Sequence, residues 1–302
     1  MISGDIAFAL SIGLVVFGQL LSAASVLIDK YVVTQTTITR PSVYVFYVGM
    51  TSSVALLLLP LGVVHTPDST TILLALAIGF VFIVSIRYLF RALKHANATD
   101  VVAWLTAVSA LTTFAFGSLI INETLPKSFP VAMVLFITGM LFVGHFRFQA
   151  RSLMQATIAG ALFGLSAVLL KMLFSHTNFI DGFFWSRMGN VAGALSLLAF
   201  PSIREHIFHI SRKTTRHLGA LIIANRALNG IAFLCILYAI RVGSVSIVNS
   251  LSSLQFVFIF LLIFLLAKYV PKLYEHEFRH GHILHKVIAM AFISLGFLTL
   301  FL

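Results

Sequence analysis

Ten apolar stretches of about 20 residues, each long enough to cross roughly 30 Å of hydrocarbon as a helix, leave this chain few folds to choose from. They lie near 5–28, 41–64, 71–93, 100–121, 129–146, 153–174, 180–200, 218–240, 244–267 and 286–302. The runs are continuous rather than alternating and far exceed strand length, so the expected fold is all-α and not a β-barrel. Lipid offers the backbone no hydrogen-bond partners, and a helix supplies its own. Charged residues make up 10% of the chain. A soluble domain carries about 25%, so the composition excludes one. The first stretch contains Ser22-Ala23-Ala24, small residues of the kind a signal-peptide cleavage site uses. Met1–Asp5, however, has no Lys or Arg, and a retained helix is expected. Cys235 is the single cysteine, so no internal disulfide can form.

The chain also repeats itself. Ser25-x4-Lys30 closes the first stretch, and Ser166-x4-Lys171 closes the sixth, 141 residues later. Gly49 and Gly189 are 140 residues apart, and Ala92-Leu93-Lys94 precedes Ala239-Ile240-Arg241 by 147. Gly139 in "ITGMLFV" matches Gly296 in "SLGFLTL". Five stretches per copy is an odd number, so the copies are expected in opposite orientations, as residues 1–150 and 151–302. Inverted repeats are the architecture of secondary transporters, with a site near mid-bilayer between the copies.

The net charge of +11 points to topology rather than to a nucleic-acid partner. Fourteen of the twenty Lys and Arg fall in or beside the loops after stretches 1, 3, 5, 7 and 9, and three fall near the loops on the other side. By the positive-inside rule the first set is cytoplasmic, and both termini face outward. The remaining three, Arg87, Arg187 and Arg226, lie within stretches.

The segment "RALKHANATDVVAWLTAVSALTTFAFGSLIINETLPKSFPVAMVLFITGM" runs from a short Ala-Leu turn into the fourth helix. That helix is closed by Glu123 and followed by a Gly-containing fifth helix. The second copy reads "YAIRVGSVSIVNSLSSLQFVFIFLLIFLLAKY". Over nearly its whole length the chain resembles the drug/metabolite transporter superfamily in its EamA-like ten-helix form. The resemblance implies an integral membrane protein with ten transmembrane helices in two inverted five-helix repeats. It also implies secondary transport of a metabolite by alternating access, with no cofactor and no ATP. The expected location is the inner (plasma) membrane of a bacterium. The resemblance implies cytoplasmic termini; the Lys/Arg count implies the reverse, and the count is followed here.

Charges inside hydrocarbon cost at least about 2.5–3.5 kcal/mol, so each needs a reason. Arg187 and Arg226 lie about 10 and 12 Å into their helices at 1.5 Å per residue. Each has an Asn three residues on, Asn190 and Asn229, on the same face. None of the nine acidic residues falls mid-helix, so no deep acidic partner is expected. A guanidinium fork suits a carboxylate or phosphate, and the expected solute is anionic or zwitterionic. The lack of a deep acid also argues against proton coupling through one. Ser246, Asn249, Ser250 and Ser253 form one stripe on the ninth helix and are expected to line a cavity. Thr106, Ser109 and Thr113 on the fourth helix are expected to pack. Trp104, Trp185 and Tyr47 complete the candidate lining, with interfacial anchoring beside Tyr44 as their other role. Lys30 and Lys171 close matching helices and read as gates or as snorkelling ends. Gly160-x3-Gly164 and Gly189-x3-Gly193 read as close-packing positions.

Three alternatives stand beside the transporter. Lipid or lipid-linked headgroup translocation would use the same arginines. A membrane metalloenzyme would use His276-Glu277-x-x-His280, which fits H-E-x-x-H. That segment is locally rich in His and reads as a polar connection, so no metal is expected. A non-transporting assembly subunit is the third. The basic stretch "SIREHIFHISRKTTRH" reads as a topology anchor near anionic headgroups. The expected partners are a small-molecule solute and membrane lipid.

Overall fold

The structure, a computed structural model, describes residues 4–35, 41–96, 98–122, 125–143, 150–210, 216–266 and 280–299. Its helices are α1 (Gly4–Gln35), α2 (Pro41–Met50), α3 (Ser69–His95), α4 (Ala98–Phe116), α5 (Phe129–Val143) and α6 (Ala150–His176). They continue as α7 (Phe179–Ser196), α8 (Pro201–Ile210), α9 (Arg216–Val242), α10 (Val245–Ser250), α11 (Leu254–Leu266) and α12 (His280–Thr299). There is no strand among the described residues. A 3₁₀ stretch, Thr51–Leu61, extends α2, and one π turn, Gly117–Ile121, extends α4. Leu251–Ser253 forms a 3₁₀ turn between α10 and α11.

Among the described residues, seven helical spans are long and apolar enough to cross a membrane, from Phe8–Val32 to Val245–Leu265. Phe129–Phe142 and Val287–Thr299 are apolar but shorter. The helix α7 is not among the seven, because its 18 residues include Asp181, Arg187 and Asn190. Large apolar side chains face outward along the bundle, among them Leu57, Leu119, Ile223 and Phe264. Exposed apolar surface on this scale needs lipid rather than water around it. This is an all-α integral membrane protein.

Local chemistry sets the helix ends. Asp68 caps α3 by accepting from the Thr71 N–H at 3.0 Å, and Asn178 caps α7 by accepting from the Asp181 N–H at 2.8 Å. Gly62 ends the 3₁₀ extension with φ of 64°, a left-handed turn that costs glycine nothing. At the other kind of end, two lysines do the capping. Lys30 Nζ donates to the carbonyls of Leu93 and Ala96, both at 2.7 Å. Lys171 Nζ donates to those of Ile240 and Gly243, both at 2.8 Å, and to Arg241 at 3.3 Å. The last carbonyls of α3 and α9 have no partner within their helix, and the two ammonium groups satisfy them.

Packing comes in matched pairs. α1 lies against α9, as α3 lies against α6; α5 lies against α12. A Cβ on Gly139 would meet the Ala289 carbonyl at 3.0 Å and Ile293 at 2.9 Å, and one on Gly296 would meet the Ala132 carbonyl and Phe136, both at 3.0 Å. The tightest crossing joins α3 to α7, where Gly79 and Gly189 bring the two backbones into contact that no side chain could enter. The short α8 buries Ile203 and Ile207 beneath it and leaves Arg204 and Glu205 exposed, the pattern of a helix lying along an interface.

Candidate functional site

Between these helix pairs lies a cavity of about 230 Å³. Its walls come from α1, α3 and α4 on one side and from α6, α7, α9, α10 and α11 on the other. Most of the lining is apolar, including Phe82, Phe163, Leu105 and Ile236. The polar lining residues come from helices of both halves of the chain. They include Gln19 and Ser22 from α1, Thr106 and Ser109 from α4, Arg187 and Asn190 from α7, Asn229 from α9, and Asn249, Ser252 and Gln255 around the break between α10 and α11.

Arg187 lies about 12–14 Å from either end of α7 at 1.5 Å per residue. Its guanidinium carbon stands 4.0 Å from the centroid of Phe233, with Phe183 at 5.7 Å and Phe82 at 6.0 Å. No described residue offers it a hydrogen bond or an ion pair, and its Nε is buried without a partner. Asn190, one turn on, is fully buried, and neither its amide nitrogen nor its oxygen has a partner. Buried polar atoms are nearly always paired, so this pair of residues is conspicuous. Three other lining amides are anchored. Gln19 donates to Ser252 Oγ at 2.9 Å, Asn229 to Ser25 Oγ at 2.9 Å, and Asn249 to Ser109 Oγ at 2.9 Å and to Thr113 Oγ1.

Arg226 corrects the expectation of arginines without acidic partners. It pairs with Asp29 through Nη2, and both side chains are nearly buried, 11% and 8% exposed. Tyr44 donates to the same carboxylate oxygen at 2.6 Å and accepts from Arg226 at 2.8 Å, and Asn225 donates to it at 2.7 Å. The network ties α1, α2 and α9 together. Arg226 does not line the cavity; Asn229, one turn along α9, does. The argument against a buried acid therefore fails at Asp29.

The serine stripe also divides. Asn249 reaches the cavity, whereas Ser246, Ser250 and Ser253 are buried in helix packing, with the hydroxyls of Ser250 and Ser253 unpartnered. The ninth-helix residues that do line the cavity beside Asn249 are Ser252 and Gln255, because the 3₁₀ turn at Leu251–Ser253 rotates the following face. Thr106 and Ser109, expected to pack, line the cavity, and Thr113 supports Asn249. None of the three aromatic candidates lines it. Trp104 donates to Thr157 Oγ1 at 2.7 Å between α4 and α6. Tyr47 points outward against Phe46. Trp185 donates to the His65 carbonyl at 3.3 Å in a separate polar cleft with Asp68, His176 and Asp181. Lys30 and Lys171 act as helix caps. Sequence reading missed Gln19 and the phenylalanines around Arg187, and it set Ser252 and Gln255 beside the polar stripe rather than in it; a glutamine inside an apolar stretch was the available signal for Gln19. The residues 276–279 of the H-E-x-x-H motif lie outside the described residues, as does Glu123. Among the described residues no three metal-binding side chains cluster.

No family profile matches the chain, and no curated protein does. Among solved structures, 28 chains match. One crystal structure aligns over 94% of this chain and 98% of that one, with a TM-score of 0.61 at 18% identity. The likeness shows a shared fold over the full length.

Proposed function

We propose that this protein is a secondary transporter of a small organic solute, anionic or zwitterionic, built as ten transmembrane helices in two inverted repeats of the drug/metabolite transporter type. The observation that carries the reading is the central cavity, walled by helices of both halves, with an unpaired guanidinium midway along α7 beside an unpartnered amide. A buried cation without a counter-ion is costly, and an anionic solute would supply one. The matched contacts support the repeat. Lys30 serves α3 as Lys171 serves α9, and Gly139 meets α12 as Gly296 meets α5. The break at Leu251–Ser253, flanked by Asn249 and Gln255, supports a site near mid-bilayer, where discontinuous helices bind solutes. The placement in a bacterial inner membrane, with the Lys/Arg-rich loops cytoplasmic, belongs to the same proposal, as does the absence of enzyme chemistry.

The test is flux of labelled organic anions into proteoliposomes. Saturable uptake by the parent, lost in Arg187→Gln at equal reconstitution, is expected. Uptake that Arg187→Gln leaves unchanged defeats the site, and no flux of any anion or zwitterion defeats the transporter. Headgroup-labelled phospholipid crossing the bilayer instead would establish the translocase.

A further inference from the structure

We infer that the solute is a monocarboxylate on an apolar body: an organic acid with one negative charge and no compensating ammonium. This rests on the transporter reading and narrows it, because the cavity holds one charge and only one. Arg187 is the sole ionisable side chain among the described lining residues. Arg226 is engaged by Asp29, Lys30 and Lys171 by helix carbonyls, and Arg87, whose Nε is buried without a partner, lies outside the lining. Arg241 lies outside the lining and donates to the Thr177 carbonyl.

The geometry of Arg187 selects the head group. Its guanidinium carbon stands over the Phe233 ring at 4.0 Å, and its Nε is buried, so the Nη groups are the ones left for a ligand. A carboxylate accepts two parallel hydrogen bonds from them in the guanidinium plane. Asn190, with both amide atoms unpartnered, is one helical turn away to complete the polar end. A phosphate monoester carries about −1.5 to −2 charge, and the cavity has no second cation for it. An amino acid brings an ammonium, and no acid is among the described lining residues; Asp29 is held by Arg226, Tyr44 and Asn225 outside the lining. Amide oxygens can accept from an ammonium but leave its charge uncompensated in a low-dielectric site. Most of the remaining wall surface is apolar, with Phe82, Phe163, Leu105 and Ile236, and favours a mainly apolar body, with hydroxyls and amides such as Ser22, Thr106 and Gln255 between them.

The experiment uses four probes sharing one phenyl ring and differing in head group: 3-phenylpropanoate, phenylalanine, 2-phenylethylamine and phenyl phosphate. Binding to the purified full-length protein is measured by equilibrium dialysis and thermal shift. The expected order places 3-phenylpropanoate first, with phenylalanine and phenyl phosphate each about tenfold weaker or more and the amine without effect. Arg187→Gln is expected to weaken 3-phenylpropanoate by about tenfold or more. Arg187→Lys, which keeps the charge but loses the fork, should recover only part of it. That variant also separates loss of recognition from loss of fold. Glucuronate, an equal charge on a hydroxylated body, should bind far more weakly. If phenylalanine or phenyl phosphate binds as well as 3-phenylpropanoate while Arg187→Gln still abolishes binding, the monocarboxylate assignment is overturned and the anion cavity stands. If 3-phenylpropanoate binds the parent and both Arg187 variants alike, or does not bind the parent, the assignment falls and the flux assay decides the transporter reading separately.

Discussion

Two buried arginines in this protein carry the same charge and have opposite circumstances. Arg226 has its counter-charge in Asp29 and a bond to Tyr44, leaving only its Nε unpartnered, whereas Arg187 has three phenylalanines and no anion. Their neutral variants should therefore behave differently before any solute is added. Asp29→Asn leaves Arg226 buried without its counter-charge, and breaking a buried pair on one side costs about 3 kcal/mol or more. Thermal unfolding in one detergent should show that loss, and the double variant Asp29→Asn/Arg226→Gln should lose less than the sum of the singles. Arg187→Gln should unfold at or above the parent temperature, since it removes an uncompensated charge, and should lose stabilisation by organic acids. A large loss of solute-free stability in Arg187→Gln would mark the residue as structural. At the surface, Asp68 accepts the side-chain and backbone hydrogen bonds of Thr71, which hold its carboxyl below the usual range. A lowered folded value contributes stability above the unfolded pKa, and this is lost as pH falls through the folded one. Asp68→Asn, still a capping residue, should flatten that acid limb of the melting profile.

At the scale of elements, the bundle is held by capped ends and by close crossings. Lys171 serves carbonyls of the α9 end and Lys30 those of the α3 end. Lys171→Met and Lys30→Met should each cost about 2 kcal/mol, because each unsatisfied carbonyl carries its own penalty. Paired melting curves would test both. Gly79 and Gly189 allow α3 and α7 to meet backbone to backbone. Ala at either position must push α7 away from α3 and shift Arg187 with it. Gly139→Ala meets Ile293 and a single carbonyl near 3 Å, so it should be the milder change in yield of monodisperse protein. The 3₁₀ turn at Leu251–Ser253 separates two helical pieces that both touch the cavity, which makes it the natural hinge if the cavity changes access.

At the scale of the whole molecule, the proposed arrangement predicts topology. Cys235 is the only cysteine, so a Cys235→Ser background accepts single reporters cleanly. Cysteines placed near Lys94 and Arg204 should react with impermeant reagent only from the cytoplasmic side, and those near His65 and His176 only from the other. Labelling of both sets from one face would defeat the opposed orientation of the repeats. Helices rather than strands, and a membrane around them, were readable from the chain, since both depend on hydropathy summed over whole segments. The cavity was readable only in part. Arg187, Asn190, Asn229 and Asn249 stand out because a polar residue inside an apolar stretch is expensive wherever it points. Phe82, Phe233 and Phe163 do not stand out, because a phenylalanine looks the same whether it faces lipid, a neighbour or a solute.

What the sequence by itself determined is therefore what local and additive physics can decide: helices rather than strands, a membrane rather than water around them, and which few residues need an explanation. Tertiary structure alone decided who explains whom. Asp29 and Arg226 are 197 residues apart, and only the packing of α1 on α9 brings them together. The same packing withdraws Arg226 from the cavity and turns Ser250 and Ser253 away from it, leaving Arg187 as the unpaired charge at its centre. The partner of a buried charge is chosen by which helices touch, and no periodicity within a single helix records that choice.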